Sequence, residues 1–190
     1  MNLNYSYYGE KEYKKKEDFI NKLQKILCRE KRKRSVLDLV FLCIGTDRMT
    51  GDCFGPLVGT KIQEKIENYN IFNINIYGTL ENNISCSNIE QTISKIKKIH
   101  PNSYVVAIDA ALSKKENIGE IFLNEGSLTI GKGLSKNRIK VGDANIKAVV
   151  GKDFKFANYN FNVLQNISLN SVIKLADIVA DGIVEVIKYN

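Results

Sequence analysis

Among its 190 residues the chain has one histidine, two prolines and four cysteines, and no apolar run approaches the roughly 18–20 residues that span a bilayer. Two prolines and no long Gly/Ser tract leave no linker between domains, so one domain with one sizeable core is expected. No internal repeat of solenoid period is present. Cys28, Cys43, Cys53 and Cys86 form no C-x-x-C pair, which argues for reduced thiols and against a disulfide framework or a zinc knot. The segment Met1 to Lys16 is polar and rich in Tyr and Lys instead of carrying a signal peptide's apolar region, so a cytoplasmic protein is expected. The lone histidine, His100, precedes Pro101 and lies at the start of a strand. No Ser/His/Asp or Cys/His triad can be built from it at strand C-termini.

What is present is the composition of a folded domain, 44% hydrophobic and 26% charged, with a formal net charge of +7. That charge is concentrated: residues 1–34 hold eleven Lys and Arg against five acids, and the remainder is nearly neutral. Phe19, Leu23, Ile26 and Leu27 fall at helical spacing, so residues around 17–30 read as an amphipathic helix in an outer layer. The expected organisation is a basic N-terminal arm and helix over 1–34 and a single α/β domain over 35–190. Aromatic residues do not interleave with the basic ones as in nucleic-acid readers, so a solvated helix face is expected and nucleic-acid binding is disfavoured.

Val36–Ile44 is almost continuously apolar and ends at Gly45, the signature of a buried strand. A polar loop, Thr46–Phe54, leads to Gly55-Pro56 and a helix carrying Leu57, Val58, Ile62 and Ile66. The pattern recurs: Phe72, Ile74 and Ile76 alternate as a strand, and Ile89, Ile93 and Ile96 mark a helix stopped by His100-Pro101. Tyr104–Ile108 is a strand running into Asp109. Gly119–Leu123 and Ile146–Val150 read as further strands, separated by a glycine-rich loop over Gly126–Gly133. A long closing helix begins near Ser168. Alternation of this kind predicts an α/β fold with a mostly parallel sheet, helices on both faces, and ligands beyond the strands' C-terminal ends.

Two aspartates fall at such ends: Asp52, in the loop Cys43 to Pro56, and Asp109. Carboxylates from neighbouring strand ends can work as a pair, one ionised to activate water and one protonated to donate. Other roles suit the same residues. Asp52 suits a helix cap, Asp109 a turn, and the adjacent Asp47 and Arg48 a surface ion pair. Cys53 has no histidine base and reads as an inert thiol. Gly131-Lys132-Gly133 lacks the spacing of a phosphate loop and reads as a mobile loop, and the core segments show no Lys/Arg cluster.

The run FLCIGTDRMTGDCFGPLVGT (Phe41–Thr60), followed in order by YGTLENN (Tyr77–Asn83), VVAIDAAL (Val105–Leu112), VGDANIKAVV (Val141–Val150) and VLQN (Val163–Asn166), resembles the YyaC-type sporulation proteins of endospore-forming Firmicutes. That family is similar to the germination proteases, which degrade small acid-soluble spore proteins, and more distantly to the hydrogenase maturation endopeptidases. The resemblance implies a three-layer αβα sandwich of the phosphorylase/hydrolase-like, maturation-peptidase type. Thr50 to Pro56 and Ala107 to Ala110 match the two germination-protease motifs that carry catalytic aspartates, so Asp52 and Asp109 inherit that role, with Thr46, Asp47, Arg48 and Gly51 as supporting candidates. Where the YyaC pattern has a histidine this chain has Ile84-Ser85-Cys86, and where it has Thr-Arg this chain has Ile167-Ser168.

The implied activity is hydrolysis of a spore protein or precursor. Its rivals are a catalytically inactive binding or scaffold protein of sporulation and a metal-dependent processing peptidase. The maturation endopeptidases add a histidine to two metal-binding carboxylates; with no histidine suitably placed, no cofactor is expected, and Asp52 and Asp109 are the ligands if a divalent cation binds. The expected partner is a protein or peptide, such as a small acid-soluble spore protein, with no membrane association; a homo-oligomer is left open.

Overall fold

Leu39–Cys43 forms β1, and all five residues are buried, as expected of a strand covered on both sides. It lies inside a five-stranded sheet of order β2-β1-β3-β7-β4, with β2 at Ile74–Tyr77, β3 at Tyr104–Ser113, β4 at Ile121–Glu125 and β7 at Ala144–Lys152. All pairings are parallel except that of the edge strand β4, which runs antiparallel to β7. Two short strands, β5 (Leu128–Ile130) and β6 (Ile139–Val141), pair antiparallel as a separate ribbon. The helices are α1 (Glu10–Lys33), α2 (Phe54–Ile66), α3 (Ile89–Ile99), α4 (Ala157–Asn166) and α5 (Leu169–Lys188). This computed structural model describes residues 10–33, 38–67, 69, 73–130 and 139–188. Val36, Leu37, Phe72 and the Gly131-Lys132-Gly133 loop lie outside the described residues.

The pleat sorts each strand into two sets of side chains. Leu39, Phe41 and Cys43 of β1, with Val106 and Ile108 of β3 and Ile146 and Ala148 of β7, join α1, α2 and α5 in one apolar cluster. Val40, Leu42, Ile44 and Ala107 face the other way, toward Ile89 and Ile96 of α3 and toward Leu128, Ile130 and Val141 of the ribbon. The result is the expected three-layer αβα sandwich. Among the described residues no helix is long and apolar enough to cross a membrane.

The amphipathic helix near residues 17–30 extends over Glu10–Lys33, and its apolar stripe is sealed: Phe19, Leu23, Ile26 and Leu27 are buried in the same cluster as α5. Several of its charges are answered within the molecule. Lys15 pairs with Glu120 at 2.8 Å, Lys16 with Glu185 at 3.6 Å, and Arg29 donates to both carboxylate oxygens of Glu125. The helix of the N-terminal arm thus packs on the α5 layer.

Three further readings are corrected. Asp109 does not terminate its strand, because pairing with β7 carries β3 on to Ser113. Part of the glycine-rich loop is the strand Leu128–Ile130, too short and too isolated to register as a strand. Helix α4 is not expected from the sequence; its half-buried stripe is short, Val163 and Leu164 among exposed aromatics and amides, and none of its residues is fully buried.

Candidate active site

The site is built where β1 stops and β3 does not. Cys43 pairs with Ile108, so Asp109 is the first residue of β3 beyond the end of β1. The chain leaving β1 is held by the backbone: Ile44 N–H donates to Ile108 O at 2.7 Å and Gly45 N–H to Ile84 O at 2.8 Å. It then folds back on itself, with Thr46 N–H donating to Asp52 O at 3.2 Å and Cys53 N–H to Met49 O at 3.1 Å. Gly45 makes this return feasible: its φ is +146°, and a Cβ there would lie 2.0 Å from Asp52 O. Asp52 thus sits in a 3₁₀ turn, Gly51–Cys53, over the end of β1, and passes directly into α2. The N-cap position of that helix is taken by Cys53 and not by Asp52, and no side-chain cap hydrogen bond is made there.

Asp52 and Asp109 act on each other electrostatically. Asp109 is pushed up to about 8, first by burial and then by the negative charge of Asp52, against smaller opposing effects of the Ala110 backbone and Lys147. Burial also raises Asp52 above the ordinary carboxyl range. Two carboxyls so placed cannot both ionise cheaply, and the group with the larger upward shift holds the proton at neutral pH. Of the two, Asp109 therefore favours the proton more strongly than Asp52.

Asp109 opens into a cleft of about 520 Å³, lined also by Ser113, Phe122, Lys147, Asp153 and Asn160. Asp153 and Asn160 form a closed knot at its rim: Asn160 Nδ2 donates to Asp153 Oδ1 at 2.8 Å and Phe154 N–H to Asn160 Oδ1 at 2.9 Å. Around that knot Phe154, Phe156, Tyr159 and Phe161 are exposed, Phe156 at 68%. Single exposed aromatics need no explanation, but four along the start of one helix beside a cleft form a patch that invites a ligand.

The supporting candidates separate. Gly51 is buried beneath α4, where a Cβ would come within 2.7 Å of Leu164 Cδ2; it serves close packing. Thr46 Oγ1 accepts from Arg48 N–H at 3.3 Å, and Asp47 accepts from Asn83 Nδ2 at 3.1 Å, so both brace the loop. Asp47 and Arg48 are exposed, and among the described residues no ion pair joins them. The Cys53 thiol is raised by burial and further by Asp47 and Asp52, which keeps it inert. His100 is at the opposite end of the sheet, its Nδ1 2.8 Å from Asp38 Oδ2 and its Nε2 3.0 Å from Tyr77 Oη.

Lys147 was missed. Its strand was read as apolar, yet it is the only charge in Ala144–Val150, and alternation puts it on the face opposite Ile146. Parallel register sets it directly beside Asp109.

A five-stranded, mostly parallel sheet between helical layers, with its cleft at the strand C-termini, has the fold of the hydrogenase maturation proteases. The chain is similar to the [NiFe] hydrogenase maturation protease HycI from Thermococcus kodakarensis KOD1, with a TM-score of 0.54 and 21% identity over 79% of this chain and 92% of that one. Within that class of fold it belongs to the family DUF1256, described as "Protein of unknown function", whose model matches residues 11–182. It is also 37% identical over 161 residues to "Uncharacterized protein YyaC" of Bacillus subtilis (strain 168), covering 85% of this chain and 75% of that protein.

A divalent cation does not fit the residues present. Among the described residues no three His, Cys, Asp or Glu side chains converge on a point, and the group flanking Asp109 on β7 is an ammonium that would repel a cation.

Proposed function

We propose that the protein is a peptidase that hydrolyses a protein substrate with the Asp52/Asp109 carboxyl pair. The observation that carries this reading is placement: Asp109 is the first residue of β3 past the end of β1, the turn that carries Asp52 folds back over that same end, and burial with the charge of Asp52 pushes Asp109 up to about 8. Such an arrangement keeps a general acid and a general base ready together. Ionised Asp52 takes a proton from water as the water oxygen bonds to the scissile carbonyl carbon. Neutral Asp109 then gives its proton to the departing nitrogen as the C–N bond breaks. The products are a carboxylic acid and an amine, and return of the proton from Asp52 to Asp109 resets the site.

The fold of a maturation protease supports a polypeptide substrate, as does the aromatic rim, which suits an unfolded or extended chain better than a small polar metabolite. The YyaC-type motifs support a sporulation role, with a spore protein or precursor such as a small acid-soluble spore protein as substrate. They also support a cytoplasmic setting in the mother cell or forespore. The engagement of Lys15, Lys16 and Arg29 in ion pairs on α1 weighs against nucleic acid as the partner. A second reading, a non-hydrolytic binding protein of the same compartments, is favoured by the exposed aromatics of α4.

Incubation of the protein with an extract of spore proteins separates these readings. Cleavage by the wild type that is lost in Asp52→Asn and in Asp109→Asn and survives chelation is the expected result. Absence of cleavage at any pH from 4 to 9 supports the binding protein. Loss on chelation with recovery on adding a divalent ion supports a metallopeptidase.

A further inference from the structure

We propose that Lys147 is a third working group of this site, its ammonium receiving the carbonyl oxygen of the scissile amide and holding the negative charge that develops there. The inference rests on the peptidase reading above and adds a catalytic residue to it.

Three observations carry it. The first is placement: Lys147 is the register partner of Asp109 on β3 and of Phe122 on β4, so the three side chains stand in a row on one face of the sheet. The second is that Asp109 and Lys147 line the same cleft, which puts an acid and a cation before a single ligand. The third is that this cation is held in reserve. The half-buried Lys15, Lys16 and Lys61 each meet a carboxylate, at 2.8 Å from Glu120, 3.6 Å from Glu185 and 2.7 Å from Asp177 respectively. Lys147, equally half-buried, makes no ion pair among the described residues. A half-buried cation without an ion-pair partner is available to meet the negative charge that develops on a carbonyl oxygen in its cleft.

The chemistry needs such a group. Water addition moves the carbonyl π electrons onto oxygen, and neutral Asp109 cannot both stabilise that oxygen and protonate the leaving nitrogen at full strength. With Lys147 on the oxygen, Asp109 is free for the nitrogen. No bond to Lys147 forms or breaks, and its three protons remain in place throughout.

The test has two arms. In the first, cleavage of spore-protein extract is followed for wild type, Lys147→Met and Lys147→Arg. The Met variant keeps the length of the side chain and loses its charge. It is expected to lower kcat by about a hundredfold or more with KM little changed, as for loss of one oxyanion donor, and Arg is expected to restore part of the rate. Unchanged kcat in a folded Lys147→Met protein overturns the proposal; so does loss of rate in the Arg variant equal to that in the Met variant.

The second arm needs no turnover. A library of short peptides with a phosphinate in place of one amide presents the charged tetrahedral geometry, and the matching amide library presents the ground state. Wild type is expected to retain phosphinate peptides over amide peptides, and Lys147→Met to lose that preference while binding the amides equally. If wild type cleaves nothing but still shows the Lys147-dependent preference, peptidase activity fails and the anion-holding role of Lys147 stands. If wild type shows no preference for the phosphinates, the role assigned to Lys147 is wrong whether or not the protein cleaves.

Discussion

The two faces of the central sheet are made by the same strands and serve opposite ends. On one face Val106 and Ile108 of β3 meet α1, α2 and α5, and the apolar cluster there runs unbroken from Phe19 to Ile187. On the other, α3 and the β5–β6 ribbon cover Val40, Leu42 and Ala107, and beyond Ala107 the next side chain on that face is Asp109, in an open cleft. Because the side-chain period of a strand is two, a single strand can contribute apolar residues to a closed core and a titrating group to a site without compromise between them. The difference teaches that stability and chemistry should be separable here by residue parity. Substitutions in either covered core should unfold the protein, and those at the uncovered end of the second face, around Asp109, should silence it without unfolding it.

The largest effect tests the open face. Asp52→Asn and Asp109→Asn are each expected to lower cleavage by about 10²–10⁴-fold, the usual contribution of a general acid or base, with little loss in Tm. The double variant should be no worse than the more impaired single variant, because groups acting as a unit are not additive. Robust cleavage by the double variant would remove both residues from the mechanism. On the closed face, Leu23 is fully buried against the α5 layer, and Leu23→Ala is expected to cost about 2–5 kcal/mol in denaturant unfolding while kcat at a permissive temperature holds. Removing residues 1–34 takes away the whole apolar stripe of α1 and should abolish cooperative unfolding. A truncated protein that unfolds cooperatively with an unchanged midpoint would break the comparison, since it would make α1 an accessory and not part of the core.

A smaller effect joins the two faces. Asp109 takes up a proton on folding, its value rising from 3.8 to about 8, so the folded state binds more protons than the unfolded state between those limits. Stability is then complete below the unfolded value and is lost as pH rises through about 8. Wild type should therefore lose Tm from pH 5 to pH 9 relative to Asp109→Asn, which does not titrate. Cleavage should fall over the alkaline part of the same range, as the general acid loses its proton. A flat difference in Tm between the two proteins would show that Asp109 is ionised in the fold, and the assignment of acid and base would have to be reversed.

Much of this was legible in the sequence for a physical reason. Val36–Ile44 and Tyr104–Ile108 are apolar on both faces, so the central parallel strands announced themselves, and Gly45, Gly51 and Gly55-Pro56 bracketed the loop that carries Asp52. Asp109 stands out because a carboxyl follows the apolar run Tyr104–Ile108, and Asp52 because glycines bracket its loop. Lys147 was hidden because a lysine between Ile146 and Ala148 looks like an interruption; only register with β3 shows what it stands beside. The ribbon strands β5 and β6 were hidden by shortness, three residues each, and α4 by a packed stripe only Val163 and Leu164 wide, too short to impose a helical period. His100 lies at the N-terminal end of its strand, and its partners could not be foreseen, since Asp38 and Tyr77 are brought to it from two other strand regions.

That network supports the smallest expected effect, and a sharp one, because it places polar groups in the molecule well away from the cleft. Tyr77 shares its hydroxyl with His100 Nε2 at 3.0 Å, His100 Nδ1 meets Asp38 at 2.8 Å, and Asn75 Nδ2 donates to Asp38 Oδ1 at 2.7 Å. The arrangement ties the C-terminal end of α3 to β1 and β2 at the edge of the sheet opposite Asp109. An Asp–His pair with a hydroxyl beyond it has the form of a catalytic relay, so form alone does not decide its role. Tyr77→Phe keeps the ring packing and deletes one hydrogen bond, for which about 0.5–1.5 kcal/mol of stability is expected to be lost, with kcat and the pH profile of cleavage unchanged. His100→Asn should behave alike with a somewhat larger loss. Were either substitution to cut kcat while leaving the unfolding midpoint in place, chemistry would reside at the N-terminal edge of the sheet, and the division of labour between its two faces would no longer describe this protein.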